Sequence, residues 1–552
     1  MSPRTAHLAA AVVIAVLAAA LYLPFLGNPL VFDDRNFFVG EKFVYYATHP
    51  IGMDVRLPGY FTLAVTRVLS GAIETQRILS LLFHVACALA LYRLLYGIQR
   101  AALSAPAAPM APFDTASSLR AAIAAAAFAL HPVAVYGAAY LVQRSIVLAT
   151  LFALLSLILF LRGLQERRFG DALSAALMYS LAVLSKEHAV LVPAAALPLL
   201  LIAGASASFA LRYTALYLAA SAPAAVFIAL LKAGIIGQPY EPQFDQIAAQ
   251  MGDASGQDIS RTPHAMSAVT QAGLFFRYLA LWFWPDPGAM SIDLRVDFLG
   301  TWSGGWIALK LLAFAAACAL GVRLLLGRGA ARLCGYGLLY FWIVFLVEFA
   351  APRFQEPFVL YRSYLWAPGI ACIAAGLLAL LPWRAAAGAG ALACALLAYG
   401  AYDRLGTFAD PLRLWQDAVA KLPATPVPWG SRTLYNLGRE YLYSGQPDKA
   451  VAVAERCAAQ YPQTAQCHYA RGAIHLQLGE YEASLVHFAR VVQLLPDNAV
   501  TYHRMGLALE GLERIEEAKA RYRTASKLGF RGADLEILRL ESPKKEPARG
   551  RQ

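Results

Sequence analysis

The residues Leu8 to Leu26 form an apolar run closed by Gly27. A run of that length can cross a bilayer, whose hydrocarbon core takes about 20 apolar residues as a helix. Similar runs recur as far as Tyr402. Backbone polar groups in hydrocarbon must be satisfied within the segment, so such a chain is confined to a helical membrane bundle. Composition agrees: the 552 residues are 59% hydrophobic and 15% charged, against about 25% charged in a soluble domain. The formal charge of +12 would suit a nucleic-acid partner, but its placement does not. Arg162, Arg167 and Arg168, and then Arg323, Arg328 and Arg332, fall in short segments between apolar runs. That is the pattern of cytoplasmic loops, and no nucleic-acid partner is expected.

With Arg4 inside, Leu8–Leu26 reads as a retained helix rather than a cleaved leader, because its apolar character continues through Leu21, Leu23, Phe25 and Leu26. The region 28–76 is then a large external loop. Further spans follow at Arg77–Ile98, at Ala121–Leu130 and its flanks, and at Ile146–Leu161, Ala172–Leu184, Ala189–Ala203 and Tyr213–Leu231. A polar stretch from Gly234 to Gln271 opens a second external region, 234–300. Inside it, Phe275–Trp284 is too short to span and reads as interfacial or re-entrant. Trp306–Gly321, Tyr336–Phe349, the segment from Tyr361 to Trp383, and Ala385–Tyr402 complete about eleven spans. The membrane domain is expected over 1–402, and everything after it on the external side.

The remainder is periodic. Gly438, Gly472 and Gly506 are spaced by 34 residues, the tetratricopeptide period. Ala450, Ser484 and Ala518 stand twelve residues after them, and Pro462 and Pro496 twenty-four after the first two. Sixteen residues on, Phe488 and Tyr522 match, while Ala454 departs from the pattern. The expectation is an all-α chain: a polytopic helical membrane domain followed by a repeat solenoid over 431–540, with a connecting half-repeat at 403–430 and a disordered Lys/Arg/Pro-rich tail at 541–552. Five cysteines lie in or beside apolar runs and read as small buried hydrophobes. Cys457 and Cys467 fall on neighbouring antiparallel helices of the array, where a disulfide and two separate thiols are equally compatible.

The groups able to do chemistry gather in the external turns: Asp33 and Asp34; Arg56; His131; Gln143 and Arg144; Lys186, Glu187 and His188; Arg353 and Glu356; and Tyr361, Arg362 and Tyr364. Each has a plain structural alternative. A lone arginine at a helix end snorkels, His131-Pro132 can end a helix, and Asp33-Asp34 can cap one. Together they provide cations to hold a phosphate leaving group and a carboxylate to deprotonate an attacking hydroxyl.

The order of Phe32-Asp33-Asp34, His131-Pro132, Gln143-Arg144, Leu184-Ser185-Lys186-Glu187-His188 with Pro193, and Leu360-Tyr361-Arg362-Ser363-Tyr364-Leu365, followed by repeats, resembles the GT-C superfamily of polyprenyl-phosphate-sugar-dependent glycosyltransferases. It is most similar to the branch of transmembrane-and-tetratricopeptide protein O-mannosyltransferases and their bacterial relatives. The resemblance implies an inverting enzyme of the bacterial inner membrane, with its N-terminus cytoplasmic and its repeats periplasmic. It implies sugar transfer from a polyprenyl phosphate to an external acceptor, a Ser or Thr hydroxyl of a polypeptide held in the repeat groove. Asp33 or Asp34 would be the catalytic base, and Arg144, Lys186, His188 and Arg362 the phosphate contacts. Arg56, His131, Gln143, Glu187, Tyr361 and Tyr364 are further site candidates. Divalent-metal use, with Asp33 and Asp34 as the ligands, stays open, and no residue identifies the sugar. A glycan or lipid-linked oligosaccharide transferase or ligase, and a non-catalytic repeat scaffold, are the competing readings.

Overall fold

The computed structural model describes residues 2–39, 41–49, 55–103, 114–238, 244, 262–298 and 304–542. Parts of the link between Gln99 and Arg120, most of the polar stretch 234–271 and nearly all of the expected disordered tail lie outside these. The regular secondary structure of the described residues is helical, apart from one isolated bridge between Leu294 and Phe358. The chain forms two compact units, Met1–Leu414 and Trp415–Gln552.

In the first unit, seven helices are long and apolar enough to cross a membrane: Pro3–Phe25, Ile73–Ala102, Leu141–Glu166, Ala207–Lys232, Gly305–Leu325, Ala330–Phe349 and Trp383–Thr407. An eighth is added if the pair Thr115–Ala129 and Pro132–Ala138, bent by 64°, counts as one span. Phe169–Ser185, Glu187–Ala203 and Ala367–Leu378 are apolar but shorter. Helices of spanning length among the described residues therefore number fewer than the eleven expected. Pro193 and Pro198 divide Glu187–Ala203 into short α and 3-10 turns, because proline removes backbone donors. Phe275–Trp284 is not a separate helix. It belongs almost wholly to a 21-residue helix, Pro263–Phe283, started by proline at its first turn.

Small residues bring helices together. Gly337 on Ala330–Phe345 and Gly369 on Ala367–Leu378 face each other so closely that a Cβ on either would collide with the other's carbonyl oxygen. Such close approach lets dispersion act over a long seam between the two helices.

The second unit carries tetratricopeptide repeats. Its helix pairs are Gly430–Tyr443 with Pro447–Gln460, Ala465–Gln477 with Tyr481–Leu494, and Ala499–Gly511 with Ile515–Lys527, followed by Gly532–Glu541. Gly472 lies against the Phe488 ring, where a Cβ would come within 2.7 Å, and Gly506 lies against the Tyr522 ring. Around Gly438 the nearest atoms stand at 3.7 Å or more. That slack matches Ala454, which replaces an aromatic ring at the equivalent position. Cys457 and Cys467 are joined by a disulfide, with their Cα atoms 5.3 Å apart, and pack with Leu434.

Candidate functional site in the first unit

Within the expected loop 28–76, Phe32, with a φ of 47°, turns the chain into the short helix Asp33–Val39. The two aspartates leave that turn in different directions. Asp34 is fully buried, and its Oδ1 accepts the backbone N–H of Val142 at 2.8 Å. Burial raises its carboxyl to about 7. Asp33 instead lines a cavity of about 520 Å³. Its backbone N–H donates to the Tyr140 hydroxyl, and Asn36 Nδ2 stands 3.5 Å from its Oδ1. Asp34 Oδ1 is committed to Val142, while its Oδ2 is buried without a hydrogen-bond partner among the described residues. Among the described residues no group of three or more His, Cys, Asp or Glu side chains is arranged to hold a metal ion.

The same cavity receives Arg56, Gln143, Lys186, Glu187, His188, Arg353, Glu356, Tyr361 and Arg362. Arg56 takes a left-handed conformation, φ 73°, that only a tightly held non-glycine residue sustains. What holds it is visible. Its N–H donates to Leu184 at 2.8 Å, and its guanidinium grips Glu187 through Nη2–Oε1 at 2.8 Å and Nε–Oε2 at 3.3 Å. This fork ties the first loop to the turn carrying Lys186, and Glu187 keeps Arg56 firmly charged.

Lys186 is 2% exposed. Its Nζ lies over the Tyr361 ring at 5.4 Å, and no carboxylate among the described residues forms an ion pair with it. Burial first, and the charges of Arg56 and Arg362 with it, pull its ammonium down to about 7. Glu187 and Glu356 act on it without forming an ion pair, so this buried cation facing the cavity can hold an anion.

A carboxylate not singled out from the sequence organises the opposite wall. Glu348, 0% exposed, stands 2.8 Å from Arg353 Nε, 3.1 Å from Arg362 Nη1 and 3.4 Å from His188 Nε2. Arg362 also bonds the Glu356 carboxylate through Nη2 at 3.2 Å. The available signal was Glu348 itself, a lone acid near the end of the apolar run Tyr336–Phe349, because charge at such a position needs a partner or a task. Lys232 lines the cavity as well, next to an apolar side made by Ile228, Ile235, Ile236 and Val347.

Three expected site residues lie elsewhere. Arg144 is fully buried and does not line the cavity; its Nε donates to Ser80 Oγ at 3.1 Å, and its Nη2 to Gln76 O at 2.7 Å and Oε1 at 2.9 Å. His131 sits at the bend of the broken helix pair, accepting from Val133 N–H through Nδ1 and donating from Nε2 to Trp282 O. Tyr364 shares a 2.6 Å hydrogen bond with His84 inside the bundle. All three are engaged by neighbouring elements, and Arg144 keeps a buried Nη1 without a hydrogen-bond partner among the described residues.

Comparison with known proteins bears on the second unit. The tetratricopeptide repeat family model matches residues 435–499. Protein CTR9 homolog of Arabidopsis thaliana is 30% identical over 110 residues, which is 19% of this chain and 10% of that protein, so the chain spans about a tenth of that relative's length. Among solved structures, YrrB, described as a TPR protein with an unusual peptide-binding site, is 16% identical. It covers 28% of this chain and 80% of its own, with a TM-score of 0.22.

Proposed function

We propose that the chain is an inverting glycosyltransferase of the GT-C type. It transfers a sugar from a polyprenyl-phosphate donor to a Ser or Thr hydroxyl of a polypeptide held by the repeats, on the periplasmic side of a bacterial inner membrane. One observation carries this reading: Asp33 lines the same cavity as Lys186 and Arg362. A base and a cationic cradle are what displacement at a sugar phosphate requires. Asp33 takes the proton of the acceptor hydroxyl. The freed oxygen attacks the anomeric carbon opposite the phosphate, inverting it. The bond between that carbon and the phosphate oxygen breaks, its electron pair leaves with the polyprenyl phosphate, and Lys186, Arg362 and Arg353 stabilise the departing charge. The apolar side near Ile228 and Ile235 suits the first units of a lipid chain. An oxidised cysteine pair in the repeats suits an external compartment.

Mass spectrometry of exported proteins from a deletion strain tests this. Ser- and Thr-linked sugar is lost, returns with the wild-type chain, and does not return with Asp33→Asn. An altered envelope polysaccharide with intact protein glycans would instead indicate a glycan-building transferase or ligase. Full complementation by Asp33→Asn would indicate a scaffold.

A further inference from the structure

The first helices of the three repeats follow one another along the array: Gly430–Tyr443, Ala465–Gln477 and Ala499–Gly511. In a helical solenoid this series lines the concave face. Tyr435 and Tyr469 occupy the same position one 34-residue period apart, and His503 follows a period later. The Arg439 guanidinium stands 5.9 Å from the Tyr435 ring centroid. The charges of Arg439 and Arg504 and the hydroxyls of Tyr443 and Tyr469 all act on the Tyr435 hydroxyl, so residues from three consecutive repeats share one neighbourhood. Tyr443 is 66% exposed and Arg504 is exposed.

Carboxylates are few on this series. The three helices hold four arginines and two glutamates, Glu440 and Glu510. Glu510 is already bonded by Arg539 and by the Tyr522 hydroxyl. Glu440 reaches Arg439 only at 3.5 Å, and the buried Arg439 Nε has no hydrogen-bond partner among the described residues. Arg504 forms no ion pair among them either. The surface has rings to stack on and guanidinium donors to spare, which fits a chain carrying carboxylates at intervals.

We propose that the strip formed by Tyr435, Arg439, Tyr443, Tyr469 and Arg504 binds an extended acidic segment of a polypeptide. The inference rests on the reading that the repeats capture a polypeptide, but not on the transfer chemistry.

The test uses the full-length protein in detergent and two fluorescein-labelled peptides, a Glu-Ser-Tyr repeat and its Lys-Ser-Tyr counterpart. The Glu peptide binds, with affinity falling as salt rises, and the Lys peptide does not. Arg439→Gln with Arg504→Gln weakens binding by at least about tenfold, the loss of roughly 1.4 kcal/mol, while the circular-dichroism melt is kept. Three results overturn the proposal: equal binding of the Lys peptide, unchanged affinity in the double variant, or inorganic polyphosphate competing as well as the Glu peptide. Because binding is read directly, an inactive transferase that still binds the Glu peptide leaves this inference standing and removes only the catalytic reading.

Discussion

Asp34 accepts the backbone N–H of Val142 at 2.8 Å, while Asp33, one residue before it, lines the cavity. Adjacent acids thus have separate placements, one anchored to the backbone and one facing the cavity. Asp33→Asn should abolish sugar transfer without changing expression or melting temperature. Asp34→Asn, whose amide oxygen can still accept from Val142, should retain activity, whereas Asp34→Leu should lose stability by about 1–3 kcal/mol through the orphaned N–H. Transfer assays and thermal melts on the three variants check this. Full activity in Asp33→Asn would sink the assignment.

The buried Asp34 also predicts a pH dependence. Its folded carboxyl sits near 7, above the ordinary 3.8, so the folded state binds its proton more tightly than the unfolded state. This contribution to stability is complete below about 4 and is lost as pH rises to 7. Between those values wild type should lose stability relative to Asp34→Asn, with the difference level above 7. Paired denaturation curves across that window give the answer, and parallel curves would refute it.

Lys186 has the opposite chemistry. Its ammonium, pulled down to about 7, is charged below that pH and increasingly neutral above it. Binding of undecaprenyl phosphate in nanodiscs should weaken as pH rises through 7, and the bound anion should shift the midpoint upward. Lys186→Gln should bind weakly with that pH step removed. A step of the same size in the variant would exclude Lys186 as its source.

Glu348 balances Arg353 and Arg362 inside the fold. Glu348→Ala leaves those guanidiniums short of a counter-charge, and removing one member of a buried pair costs about 3–5 kcal/mol. A clear drop in thermal stability is expected, smaller for Glu348→Gln, which keeps the shape and part of the hydrogen bonding. An unchanged melt for Glu348→Ala would contradict the network.

The disulfide in the repeats closes a short loop, worth about 3 kcal/mol by the chain-entropy account. Protein extracted with thiols blocked should show no maleimide labelling at Cys457 or Cys467 until it is reduced, and reduction should lower the melting temperature. Labelling before reduction would remove the bond and, with it, its support for an external array.

The repeats were readable because their register is rigid: Gly472 and Gly506 must meet Phe488 and Tyr522 at a fixed offset, and the sequence repeats that offset. The convergence of Asp33, Lys186, His188 and Arg362 was readable because each lies in a short polar turn beside an apolar run, and such turns meet at one end of a helical bundle. Arg144 and His131 were not, since a cation or imidazole at a helix end looks the same in sequence whether it faces a cavity or ties down Gln76 or Trp282. Glu348 stood out in the sequence only as a lone acid near the end of an apolar run; which cations it balances, Arg353 and Arg362, is set by the fold. The start of Pro263–Phe283 was obscured by the polar residues before it, which read as loop.

The cavity draws on residues from Asp33 to Arg362, so it has no local precursor. During synthesis the first aspartates are in place long before the strand of chain bearing Arg353 and Arg362 leaves the ribosome. Until then the nascent chain holds Asp33 without the cationic wall that completes the cavity. Chains interrupted between Lys232 and Glu348 lack Arg353 and Arg362 and, on the proposed transferase reading, should be inactive.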